Sequence, residues 1–271
     1  PSTDVAGDIV AHDFVAPIDT KMISQWDSLS PQLRNMNDVI KDGKVYGMPF
    51  TWGPDYLIYD ADVVKTEPTS WKVFEDPQYK GQVALWDDIS NIYLIGQTQG
   101  LDKTDKAALY NMSDAQLQSA KTELIKMKPQ IRKYWATAGE LDNMFKNKEV
   151  ALAVGWPLTV AHLNKEGRNL KAVIPAEGAT GWIDRLMITS GSHNKQLALL
   201  YLDYISQPDN MAKVLSAINY NVANPGSERF LSADDKKIAD ASQFFDKLNF
   251  WQTVKERKKY NEIWNEVKSA Q

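Results

Sequence analysis

The sequence predicts an α/β fold in which at least part of the sheet is parallel. Strand-like and helix-like stretches alternate along the chain, and residues 150–156 are apolar almost without a break, as in a strand covered on both faces. A length of 271 residues with 43% hydrophobic content is enough to fill one large core or two smaller ones.

Ser113 and Gln116 have the form of a capping box. Leu117, Ala120, Leu124 and Met127 then recur at helical spacing until Pro129 ends the run. Leu141, Met144 and Phe145 mark a shorter helix. After the apolar strand at 150–156, Pro157 suits the first turn of the next helix. Residues 170–175 and 182–188 read as strands. Residues 195–206, nearly all Leu, Tyr and Ala, predict a buried helix, and Pro208 opens another that runs to about Ile218. From about Trp251 to Val267, Tyr260, Ile263, Trp264 and Val267 share one stripe with Lys and Glu opposite. No repeat, low-complexity run or Gly/Ser tether interrupts the chain, so two lobes would be joined by ordered crossovers.

Thirty-one basic residues against 35 acidic ones leave a net charge of −4 with the signs interspersed. Such a surface lacks the basic stripe that follows a phosphate backbone, so nucleic acid is not an expected partner. The longest apolar stretch, 150–163, is broken by Pro157 and is too short to span a bilayer. The opening residues do not have the form of a signal peptide, which suits a cytoplasmic protein or the mature part of an exported one. The absence of Cys removes disulfides, thiolate nucleophiles and Cys-type zinc sites. His12, His162 and His193 are far apart and form no metal-binding pair. GxGxxG, GxxxxGK[ST] and GxSxG are absent. Neither a cofactor nor a metal is expected.

Acidic and aromatic groups remain. Nine Trp and eleven Tyr fill cores or line a ligand cleft. Trp182 and Asp184, two apart on a strand, share one face while Ile183 and Arg185 share the other. A ring beside a carboxylate makes a receptor for an ammonium group. The ring contributes about 0.5 to 2 kcal/mol and the charged hydrogen bond about 1.5 to 3. The same pattern also fits a core Trp beside a surface Asp. Asp87-Asp88, where a strand ends, fits two anionic anchors, a solvated turn or a helix cap.

Certain motifs come in the order and spacing of one family: Pro1-Ser2-Thr3, Met48-Pro49-Phe50-Thr51-Trp52-Gly53, and Ser70-Trp71 with Asp76-Pro77-Gln78-Tyr79-Lys80-Gly81. Asp87-Asp88, Trp156, Trp182-Ile183-Asp184 and Tyr220 follow. Along its whole length the chain resembles the spermidine/putrescine-type periplasmic solute-binding proteins of ABC importers. The resemblance implies a two-lobed, type II periplasmic-binding-protein clamp with mixed sheets. Lobe one would hold residues 1–52 and 183–228, and lobe two residues 53–182 and 229–271, with crossovers near Trp52-Gly53, Trp182-Ile183 and Glu228. It also implies that an opening β-α-β portion of lobe one is missing, leaving a sheet edge prone to pair with another chain.

Carried across by the resemblance, the ligand-lining positions fall on Ser2, Asp88, Trp156, Trp182, Asp184, Tyr220 and Gln252. Asp4 stands where an aromatic is usual, and Asn91 where a second carboxylate would hold a polyamine. Thr51, Trp52 and Gly53 match the hinge. The resemblance implies a non-enzymatic receptor in the periplasm, or membrane-associated in a bacterium without an outer membrane. It would be monomeric at full length and would deliver a polyamine or related small amine to a permease. The same fold holding a zwitterion such as GABA, or a neutral sugar, is the alternative. A carbohydrate-active enzyme with Trp platforms and paired carboxylates is the competing class.

Overall fold

Apolar periodicity and local caps account for most elements of the computed structural model, which describes residues 1–270. The side chains of residues 237–243 lie outside that description. The chain divides into two units. Unit one comprises residues 1–53, 181–245 and 250–253; unit two comprises 54–180, 246–249 and 254–271. The division expected near Glu228 falls later, after Phe245, because Pro225–Phe230 and Ala233–Ala239 pack on the helix Pro208–Ile218 of unit one. Residues 250–253 also belong to unit one, where the Trp251 amide donates to the Gly181 carbonyl at 2.8 Å.

Unit two is built on a five-stranded sheet in the order Ile131–Trp135, Val83–Trp86, Leu152–Gly155, Tyr56–Asp60, Leu170–Val173. Val83–Trp86 runs parallel to both of its neighbours, and Tyr56–Asp60 antiparallel to both of its own. The sheet is therefore mixed. Leu152–Gly155 lies in its centre with all four residues buried, which explains an apolar run without alternation.

The helix Asp114–Met127 has a complete capping box: the Ser113 amide donates to Gln116 Oε1 (2.8 Å) and the Gln116 amide to Ser113 Oγ (3.3 Å). It buries Leu117, Ala120, Leu124 and Met127, the four residues of the expected stripe. Its neighbour Arg257–Ser269 likewise buries Tyr260, Ile263, Trp264 and Val267. The motif around Trp71 is scaffolding. Its indole donates to the Gly178 carbonyl (2.8 Å), Asp76 caps the Gln78 amide (2.9 Å), and Gly81 takes a φ of 69°.

In unit one, Asn221–Val222, Met48–Pro54 and Ala179–Leu186 lie side by side in that order. Asn221 sits opposite Trp52 and Val222 opposite Thr51 in an antiparallel pair. The strand expected at 182–188 begins three residues earlier and breaks before Ile188–Thr189, which pairs with Val15–Ala16. The helix Lys195–Ser206 has the expected bounds but not the expected burial. Leu202 and Ile205 are covered, whereas Leu197, Leu200, Tyr201 and Tyr204 are 54 to 65% exposed. An unbroken apolar sequence does not say which of its sides a neighbour covers. The next helix, Pro208–Ile218, ends where Asn219 adopts the left-handed conformation (φ 56°).

Tyr260 joins two segments of unit two, its hydroxyl donating to Leu109 O (2.8 Å) and accepting from the Met112 amide (2.8 Å); burial pushes its pKa up to about 12. Tyr260→Phe strands both buried backbone groups. It is expected to cost about 1 to 3 kcal/mol in urea denaturation at neutral pH; an unchanged midpoint contradicts this assignment.

Candidate functional site

The strands Met48–Pro54 and Ala179–Leu186 place Thr51, Gly53, Trp182 and Asp184 on one face of unit one, where Tyr220, Ser2 and Asp4 join them. Thr51 Oγ1 donates to Asp184 Oδ2 at 3.0 Å. Gly53 lies beneath the Trp182 indole so closely that a Cβ there would sit 2.8 Å from Trp182 Cζ2, and only glycine admits the ring. Tyr220 meets Trp182 edge to face, with centroids 4.7 Å apart and planes at 63°. Ser2 forms an isolated antiparallel bridge with Asp184, and its hydroxyl donates to Asp4 Oδ1 at 2.5 Å.

Burial raises the Asp184 pKa above the usual carboxylate value, and the nearby Asp4 carboxylate pushes it the same way. The Thr51 hydroxyl opposes them. Among the described residues no lysine or arginine side chain pairs with Asp184. Arg185 points to the other face, where it grips Asp38 with two bonds of 2.8 and 3.0 Å and donates to Leu33 O. Trp52 also turns from this face. Its indole donates to Val222 O (3.3 Å), and its ring packs edge-on against Phe245 and Phe250. Gln252 lies elsewhere in unit one, in the wall of a cavity of about 790 Å³ that it shares with Asp8, Asn37, Asp38 and Trp251; none of Trp182, Asp184 or Tyr220 lines it.

The remaining expected residues belong to unit two. Asp88 is half-buried and accepts from the Ser90 amide (2.8 Å) at the start of the helix Ser90–Thr98. Asn91 is 2% exposed and donates its side-chain amide to Trp86 O (2.7 Å) and Asp88 O (2.8 Å), bracing the turn that carries Asp88. Asp87 holds Trp264 Nε1 (2.8 Å) and Lys268 Nζ (2.7 Å). Trp156, the residue before the helix Pro157–Lys165, is half-buried against Trp86 and Trp135, both edge-on, at 5.2 and 5.0 Å.

Sequence reasoning missed Asp55. Its Oδ1 accepts from Trp156 Nε1 (3.2 Å) and its Oδ2 from Thr180 Oγ1 (2.6 Å). Its place directly after Thr51-Trp52-Gly53-Pro54 was the only available signal. Among the described residues no group of His, Asp and Glu is arranged to hold a metal, and no helix is long and apolar enough to cross a membrane.

A family model for bacterial extracellular solute-binding proteins matches residues 1–246. The chain belongs to the bacterial extracellular solute-binding proteins. It is 24% identical over 276 residues to the spermidine/putrescine-binding periplasmic protein of Salmonella typhimurium, covering 100% of this chain and 76% of the relative. With the protein of the same name from Escherichia coli K12 it shares 26% identity over 243 residues, 88% of this chain and 67% of the relative. Its structure superposes, with a TM-score of 0.83 and 20% identity, on the spermidine/putrescine ABC transporter substrate-binding protein PotD of Streptococcus pneumoniae, covering 99% of this chain and 82% of that one. The mixed α/β architecture of this solute-binding protein is thus the periplasmic-binding-protein fold.

Two predictions follow from the unit-one face. Gly53→Ala drives a methyl into the Trp182 ring and should cost about 1 to 3 kcal/mol, read as a lower urea midpoint; a neutral result would show that the ring shifts freely. Asp184→Asn keeps an acceptor for Thr51 and removes a half-buried, partly desolvated charge, so at pH 7 the variant should be at least as stable as the parent. Because the folded carboxyl has a raised pKa, the folded state holds its proton to higher pH than the unfolded chain does. Any advantage of the variant should therefore shrink as pH falls through the folded pKa. An advantage that grows on acidification reverses the assignment.

Proposed function

We propose that this solute-binding protein is the extracytoplasmic receptor of an ABC importer and captures a polyamine or related small amine without chemical turnover. The observation that carries the reading is a half-buried carboxylate, Asp184, with which no basic side chain among the described residues pairs, set beside the Trp182 and Tyr220 rings. An anion partly withdrawn from water without a cationic side chain is costly, and an incoming ammonium supplies a partner. The rings offer their faces to the same charge. The relatives from Salmonella typhimurium and Escherichia coli, named as spermidine/putrescine-binding proteins, point to the same ligand class.

In this reading Asp184 is the main ammonium anchor and Asp88 the distal one. Trp156, Trp182 and Tyr220 form the ring walls, Ser2 is a neutral hydrogen-bonding group, and Asp4 adds negative charge; Gln252, expected in the same role as Ser2, lines the separate cavity of unit one instead. Asn91 supports Asp88 through the turn. Thr51, Trp52 and Gly53 serve as a hinge, and closure presents the loaded receptor to a membrane permease.

Calorimetric titration with putrescine, spermidine, GABA and choline tests the proposal, and a folded protein that gives no heat with any amine refutes it. For a cationic ligand, Asp184→Ala should cost about 2 to 5 kcal/mol. A loss near one ordinary hydrogen bond, about 0.5 to 1.5 kcal/mol, would indicate a neutral ligand instead. Amine affinity should also weaken as pH falls through the raised pKa of Asp184, because only the ionised form pairs with the ammonium. Asp184→Asn should remove that contribution to the pH dependence.

A further inference from the structure

We propose that Asp55 is a positioning residue that makes Trp156 selective for cations, an inference that rests on the amine-receptor reading above. Asp55 is 5% exposed and occupies the single position between the strands Met48–Pro54 and Tyr56–Asp60. The strand geometry holds it there: its own amide donates to Thr180 O (2.9 Å), and the Thr180 hydroxyl returns to Oδ2 (2.6 Å). Both ends of the residue are thereby tied to one neighbour, and Oδ1 is left aimed at Trp156 Nε1 (3.2 Å).

Trp86 and Trp135, which stack on each other, pack against Trp156 at interplanar angles of 71° and 88°, so packing sets the plane of the indole and Asp55 its rotation within that plane. With the N–H edge committed to Asp55, the indole meets a ligand with its π-face instead of its donor.

A neutral acceptor would hold the same N–H without burying a charge. A carboxylate does more, because a charge-assisted hydrogen bond draws the N–H proton outward and leaves the ring richer in π-density. Attraction of a cation to the ring face rises accordingly, while a neutral guest gains little. Unit two then repeats with Trp156 and Asp55 the pairing of ring and carboxylate that unit one makes with Trp182 and Asp184, with one difference. Asp184 is argued to touch the ammonium, whereas Asp55 acts through the ring.

The test combines Asp55→Asn, Trp156→Phe and the double variant in putrescine titrations, with the Trp156 indole N–H resonance, assigned by its loss in Trp156→Phe, as a readout independent of ligand. Asp55→Asn should move that resonance upfield and weaken putrescine binding about tenfold. In the Trp156→Phe background the same change should cost less than about twofold. An unmoved resonance, unchanged affinity, or an equal loss in the Trp156→Phe background overturns the role of Asp55. Should Asp55→Asn fail to fold, Thr180→Val loosens Asp55 more gently and should shift the resonance in the same direction; no shift overturns the proposal. A parent protein that binds no amine overturns the receptor reading and this inference together. A parent that binds putrescine no better than a folded Asp55→Asn variant overturns this inference alone.

Discussion

Drawing a carboxylate even part-way out of water is costly unless something answers its charge, and on the face of unit one that constraint falls on half-buried Asp184. The chain supplies a hydroxyl from Thr51 and no basic side chain. The rest of the face follows from the tight pairing of the strands on which those residues lie. Gly53 lets the Trp182 ring lie flat beside the pair, and Tyr220 closes against the ring's edge. A bulkier residue at position 53 would displace the Trp182 ring.

Other buried or half-buried carboxylates are handled differently. Asp38 receives the bidentate Arg185 guanidinium, and Asp60 is paired with Arg168. Those pairs are complete within the protein and serve packing, and breaking either of them would leave a charge stranded. Asp184 and Asp55 are held by hydroxyl and indole donors instead. Carboxylates with a cationic partner are thus distinguished from those gripped by hydroxyl or indole donors. Asp184 and Arg185, adjacent in sequence, fall on opposite sides of this division because a strand turns successive side chains to opposite faces.

Local sequence carried far in unit two. The capping box at Ser113 and the stripes of Leu117 to Met127 and Tyr260 to Val267 are short-range patterns, and the helices bury those same residues. It carried less far in unit one. The apolar run at 195–206 predicted a helix with the correct ends yet gave no hint that Leu197, Leu200, Tyr201 and Tyr204 would remain exposed. The family resemblance puts Asn91 where a second carboxylate would hold a polyamine. The fold engages its amide with backbone carbonyls, a use no spacing rule reveals.

By itself the sequence determined the α/β class, the helix boundaries with caps or prolines, and the alternation that sends Trp182 and Asp184 to one face. All of these depend on residues within a few positions of each other. Only the tertiary structure decided that Thr51 reaches Asp184, that Gly53 lies under Trp182, and that Asp55 holds Trp156, contacts that join residues up to 133 positions apart. Such contacts are set by strand register and by the closure of long loops, neither of which leaves a periodic trace in the chain.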